Sequence, residues 1–140
     1  MALTHTTALR NLMATGIAAE FDTGTGRLAV LTGTPVAAGS AQTGSVLGTF
    51  TLPSDVFGTA SGGAIALNAV SNVTASGTGT AASFCFYNSD ETAIGSVAGG
   101  ADNRITGSLL TAAGDMTIDN ASVVSGGTLV MSGWTWNAPA

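Results

Sequence analysis

The chain has 140 residues, a length that fits one domain, and only 8% of them are charged, against about a quarter in an ordinary soluble domain. It has no lysine; its three cations, Arg10, Arg27 and Arg104, are scattered within a net charge of −5 and cannot build the basic stripe that displaces phosphate counterions. Nucleic acid is therefore excluded as a partner, and so is a membrane, because no apolar run approaches the ~20 residues that span a bilayer.

Alanine, threonine, glycine and serine supply more than half of the residues, with only five Phe, two Trp and one Tyr among the large side chains. Such a composition predicts a thin core in which each large residue matters. So few surface charges also favour association with neighbours.

Residues 4–20, THTTALRNLMATGIAAE, carry the one helical signal. Leu9, Leu12, Met13 and Ile17 fall on one apolar face, Thr4, Thr6 or Thr7 can cap the start, and Gly16 weakens the middle. The helix either docks on its own domain or reaches to a neighbour. LMATGIAA is broken by Thr15 and Gly16 and makes a poor signal-peptide core. The expected organisation is a helix or arm over 1–22 and a β domain over 23–140.

Short strands follow. RLAVLT (27–32) precedes a Gly/Ala/Ser-rich loop (33–45), then VLGTFTL (46–52) runs to Pro53. AIALNAV (64–70) comes next, with a short strand around Val73. TAASFCFYN (80–88) puts Ala82, Phe84 and Phe86 on one face and Cys85 and Tyr87 on the other. SDET (89–92) then turns into AIGSVA (93–98) as a hairpin partner. ITGSLL (105–110), MTID (116–119) and TLVMSGWTW (128–136) complete about eight short strands with a turn every 8–14 residues. The expected fold is all-β, an antiparallel β-sandwich or jelly roll with a short N-terminal helix.

Chemistry is sparse. His5 is the sole histidine and Cys85 the sole cysteine, so no internal disulfide, zinc cluster or fixed nucleophile–base pair is indicated. Cys85 reads as a buried small residue. Asp90 and Glu91 sit in a hairpin turn, and Asp102, Asp115 and Asp119 at turns or strand edges, without the spacing of a calcium loop. Asp22-Thr23-Gly24 matches the tripeptide of the dimeric, retroviral type of aspartic protease. It lies at the end of a helix instead of an apolar strand, and D-T-G is an ordinary turn. The glycine-rich GTGTG lacks a phosphate-binding lysine. No catalytic, cofactor-binding or metal residue is assigned; the expectation is that the chain is not an enzyme and needs no cofactor.

From residue 27 to 136 the order of motifs resembles small structural proteins of tailed bacteriophages. It runs from LAVLTGTPVAAGS through LGTFTLPSDVFGTASGGAIALNAV and GTAASFCFYNSDETAIGSVAG to TIDNASVVSGGTLVMSGWTW. NRITGSLLTAAG (103–114) is longer here than in that pattern. The resemblance implies a virion component, a capsid decoration or cement protein on the capsid exterior. Its expected partners are the major capsid protein and copies of itself in a trimer. A neck, tail or head-fibre component that binds a host receptor or glycan is the alternative. The residues expected at subunit interfaces are Trp136 and, on the helix, Leu9, Leu12 and Met13. Trp134 and Trp136 share one face of the last strand; Trp134 is expected to fill the core and Trp136, nearer the end, to meet a neighbour.

Overall fold

The computed structural model describes residues 3–23, 26–88, 94–95, 103–112 and 114–140. Among these, one helix, α1 (Thr7–Phe21), precedes ten short strands. These are β1 (Gly26–Thr32), β2 (Val46–Thr51), β3 (Ala64–Ala66), β4 (Val73–Thr74), β5 (Gly79–Asn88), β6 (Ile105–Leu110), β7 (Met116–Ile118), β8 (Ser122–Val123), β9 (Thr128–Leu129) and β10 (Met131–Asn137). A curled, mixed sheet runs in the order β2-β1-β5-β6-β7-β10-β3; β8 pairs with β5 beside this path, and β4 and β9 form a separate pair.

The chain is mostly β, as composition and turn spacing predict, but the sheet is not wholly antiparallel. β6 and β7 run parallel through Leu109↔Met116 and Leu110↔Thr117. Parallel neighbours normally need a long crossover. Here the short link folds back along β6, and the Asp115 carboxylate accepts from the Ser108 amide at 2.8 Å. That side chain takes the place of a ladder carbonyl where β7 has not yet begun.

The centre of the sheet follows the expected alternation with one correction. Phe84 and Phe86 face the main core; Cys85 and Tyr87 face the other side with Ala29 and Leu31. Ala81, not Ala82, completes the core face. The cause is a register shift in the β1–β5 pairing, from Leu31↔Ser83 to Thr32↔Ala81, which reverses the side on which β5 side chains fall. The second face lies under the 33–45 loop: Thr106 donates to the Val36 carbonyl at 2.8 Å, and the Gln42 amide to that of Ile94 at 2.8 Å. The predicted hairpin partner, 93–98, falls outside the described residues except for Ile94 and Gly95; β5 pairs with β1, β6 and β8.

Other predicted strands are shorter. The 64–70 stretch keeps only Ala64–Ala66 as strand because the Asn68 amide donates to Val56 and pulls the chain away. The 128–136 stretch breaks at Val130: β9 pairs with β4, and β10 with β7 and β3.

The core is an aromatic cluster. The Phe86 ring lies 5.7 Å from Phe21, 6.1 Å from Phe57, 5.7 Å from Phe84 and 4.9 Å from Trp134. Trp134 on β10 thus meets Phe86 on β5 across the interior, which is what the curl of the sheet accomplishes. Each such side chain contributes roughly 1.5–3 kcal/mol by burial alone.

Helix α1 covers this core with an unexpected face. Thr6 caps its start, accepting from the Leu9 amide. Ala14, Ala18 and Phe21 are buried, whereas Leu9 is 44% and Leu12 68% exposed. Small alanines let the helix lie close to the sheet. Arg10 donates to the Ala138 carbonyl at 3.0 Å and Asn11 accepts from the Gly63 amide at 2.7 Å, fixing the helix rotation that turns the leucines outward.

Candidate functional site

Two open grooves meet at Trp136. The larger, about 450 Å³, separates α1 from the start of β6. Met13, Ile17 and Phe21 line its helix side, Arg104 and Ile105 the opposite side, and Trp136 lies between. Glu20 adds a carboxylate that accepts from Asn88 Nδ2 at 2.5 Å, tying the end of α1 to the end of β5. The second groove, about 370 Å³, opens between β6 and β10 and shares Ile105 and Trp136.

Trp134 fills the core, as expected. Trp134 is 6% exposed within the aromatic cluster; Trp136 is half-buried, packed on the core by one side and open to both grooves by the other. Met13 joins Trp136 in the larger groove. Leu9 lies one turn before Met13 and Leu12 about 100° round the helix from it, both exposed. Of the four residues expected at an interface, Met13 and Trp136 thus share the larger groove and Leu9 and Leu12 stand exposed on the same helix. Ile17 lines the groove with them, as do Ile105 and Arg104, which were not expected there. ITGSLL gives no sign that Ile105 opens onto a groove, because that depends on how early its neighbour β7 begins.

At the inner end of the second groove stands Asp115. It accepts from the Ser108 hydroxyl at 2.7 Å and from the Ser108 amide at 2.8 Å. These bonds hold its carboxyl below the usual range, the hydroxyl bond being the largest cause. A folded-state pKa below the unfolded value stabilises the fold above the unfolded pKa and loses that stabilisation as pH falls through the folded one. Asp115→Asn should therefore lower stability at neutral pH and flatten the acid limb of the stability curve below about pH 4, where the two proteins converge. Urea midpoints measured from pH 2 to pH 7 check this; an unaltered acid limb would refute it.

The remaining reactive side chains have structural partners. Asp22 sits in a turn, as D-T-G predicts, and its Oδ1 accepts from the amides of Val56 at 2.8 Å and Phe57 at 3.2 Å. His5 Nδ1 lies 3.3 Å from the Ala140 carbonyl oxygen. Cys85 is fully buried on the second face of the sheet, as expected. Asp119 accepts from the Ser132 hydroxyl. Asp90, Glu91 and Asp102 fall outside the described residues. Among the described residues no three His, Cys, Asp or Glu side chains gather as metal ligands, and no helix is long and apolar enough to cross a membrane.

Comparison with known proteins adds no relative: no family model, no curated protein and no solved structure matches the chain.

Proposed function

We propose that this chain is a bacteriophage virion structural protein that decorates the capsid exterior and bridges neighbouring capsid subunits. The observation that carries the reading is the groove where Met13 of α1 meets the half-buried Trp136, on a helix that also exposes Leu9 and Leu12, in a chain with very few charges. Exposed leucines and an open indole suit a docking surface, where a few large side chains dominate binding. The resemblance of residues 27–136 to phage structural proteins supplies the partner: the major capsid protein, with copies of this chain in a trimer. A β-sandwich or jelly roll belongs to the same reading, supported by the meeting of Trp134 and Phe86 from two parts of the curled sheet. In this role the chain catalyses nothing; it buries apolar surface across subunit boundaries so that many copies resist internal pressure together.

A second reading, a neck, tail or fibre component that binds a host glycan, draws on the polar company of Trp136. Asn103, Arg104 and Asn137 line the same grooves, and an indole flanked by such groups suits a sugar ring. Imaging of virions that carry this chain separates the two: density on the capsid lattice supports decoration, and density confined to the tail overturns it. Trp136→Ala should remain folded, losing about 1 kcal/mol of stability, yet bind capsids at least about tenfold more weakly. Unchanged capsid binding by this variant would remove Trp136 from the interface.

A further inference from the structure

The shortness of β7 leaves a slot in the sheet. β7 joins β6 only at Leu109 and Leu110, and meets the middle of β10 at Met116↔Trp134. Beyond Asp115 the 370 Å³ groove lies between Ile105 and Thr106 of β6 and residues 134–137 of β10, and among the described residues only Phe84 lines it besides these. β7 bridges the two walls where the slot closes, so they stand two strand spacings apart there, roughly 9–10 Å. The slot is one strand wide.

Both walls direct backbone groups into it. The Ser108 amide points to this side, toward Asp115, so two residues earlier Thr106 does the same. On β10, Trp134 accepts from the Leu67 amide and therefore faces β3. Thr135 and Asn137 alternate to the other side, toward β6. The walls' side chains are sorted as well. Ile105, Trp134 and Trp136 lie on the main core face, while Thr106 bonds to the loop on the second face.

We propose that this slot receives the extended segment Leu3–Thr6 of a second copy as an added β-strand. The segment precedes α1 without being helical, and Thr6 is extended, with φ −65° and ψ 153°. Leu3, at 87%, is the most exposed large apolar side chain among the described residues. Four residues match the four that line the β10 wall, residues 134–137, and Leu-Thr-His-Thr brings no carboxylate, lysine or arginine into the slot. In strand geometry Leu3 and His5 share one face and Thr4 and Thr6 the other. Leu3 then covers Ile105 and Trp136, and the threonines meet Thr106 and Thr135, a favourable cross-strand pairing. The added strand supplies partners to backbone groups on both walls, as in strand-addition complexes.

Donor and acceptor lie near each other on one chain. Arg10 fixes the start of α1 at Ala138, the residue after the slot's mouth at Asn137. Each copy can thus offer its segment to the next while receiving another, and such an exchange closes into a symmetric oligomer. The inference stands whether or not that oligomer decorates a capsid.

The test uses full-length chains. Thr4→Cys protein mixed with Thr135→Cys protein under oxidising conditions should give a disulfide between the two variants, with Thr6→Cys replacing Thr4→Cys to cover the other register. The unsubstituted chain should sediment as an oligomer. Leu3→Asp should raise its dissociation constant at least about tenfold without altering its far-ultraviolet dichroism. No mixed disulfide in either register overturns the proposal. So does a chain carrying both cysteines that closes the bond within itself as a monomer, since its own segment then fills the slot. A monomeric unsubstituted chain at about 100 μM also overturns it.

Discussion

Trp134→Ala should lower the stability of the fold by about 3–5 kcal/mol. Its indole sits 4.9 Å from the Phe86 ring and 5.7 Å from Phe57, and it is the only side chain of β10 in that aromatic cluster. Removing it leaves a cavity walled by phenylalanines. Those rings are held by Phe21 on α1 and by Phe84 and Phe86 on β5, so they cannot close over the space. The strand itself should persist, because the Trp134 carbonyl still accepts from the Leu67 amide. A small domain is stable by only about 5–15 kcal/mol, so the loss is a large fraction of the total. The expected measurement is a large fall in the urea midpoint with little change in slope. Trp136→Ala, two residues on, should lower that midpoint far less. Equal losses at the two positions would mean that Trp136 is a core residue and not available for docking.

The core position of Trp134 was legible in the sequence; the surface around it was not. A two-residue period places both indoles on one face. β1, β2 and β5 were equally plain, since apolar runs and Gly-rich turns mark them without help from the rest of the fold; β6 was weaker. Capping chemistry narrowed the helix start to Thr4, Thr6 or Thr7, of which Thr6 is the cap, but the buried face did not follow from the sequence. Leu9 and Leu12 are the more hydrophobic residues, yet Ala14 and Ala18 face the sheet because a close approach needs small side chains and because Arg10 and Asn11 are anchored at Ala138 and Gly63. The phase of β5 around Ala81 depends on a register shift against β1, which local pattern does not carry. The parallel step from β6 to β7 was hidden for a related reason. It rests on one side chain, Asp115, standing in for a backbone carbonyl, and a carboxylate in a turn gives no sign of which amide it will meet. The slot between β6 and β10 is a consequence of that step, so the most specific feature of the candidate site was the least visible.

Asp22 offers the second large expected effect, and it decides what its D-T-G tripeptide is for. Asp22→Ala should cost about 2–3 kcal/mol, because Oδ1 accepts two backbone amides, from Val56 and Phe57, and an unfilled buried donor costs about 1–3 kcal/mol. Both residues' side chains are buried, so water reaches these amides poorly and replaces the lost acceptor only in part. Asp22→Asn retains an oxygen in the same place and should cost far less. The carboxylate also stands at the C-terminal end of α1, where a negative charge opposes the helix dipole, and its removal offsets part of the loss from a weaker, neutral acceptor. Denaturant midpoints for the wild-type chain and both variants give the comparison. An asparagine variant nearly as stable as wild type, with an alanine variant well below both, identifies Asp22 as the clamp that ties the end of α1 to the loop after β2. If asparagine were as damaging as alanine, the charge itself would be required, and a shared-proton aspartate pair across two copies would regain a physical basis.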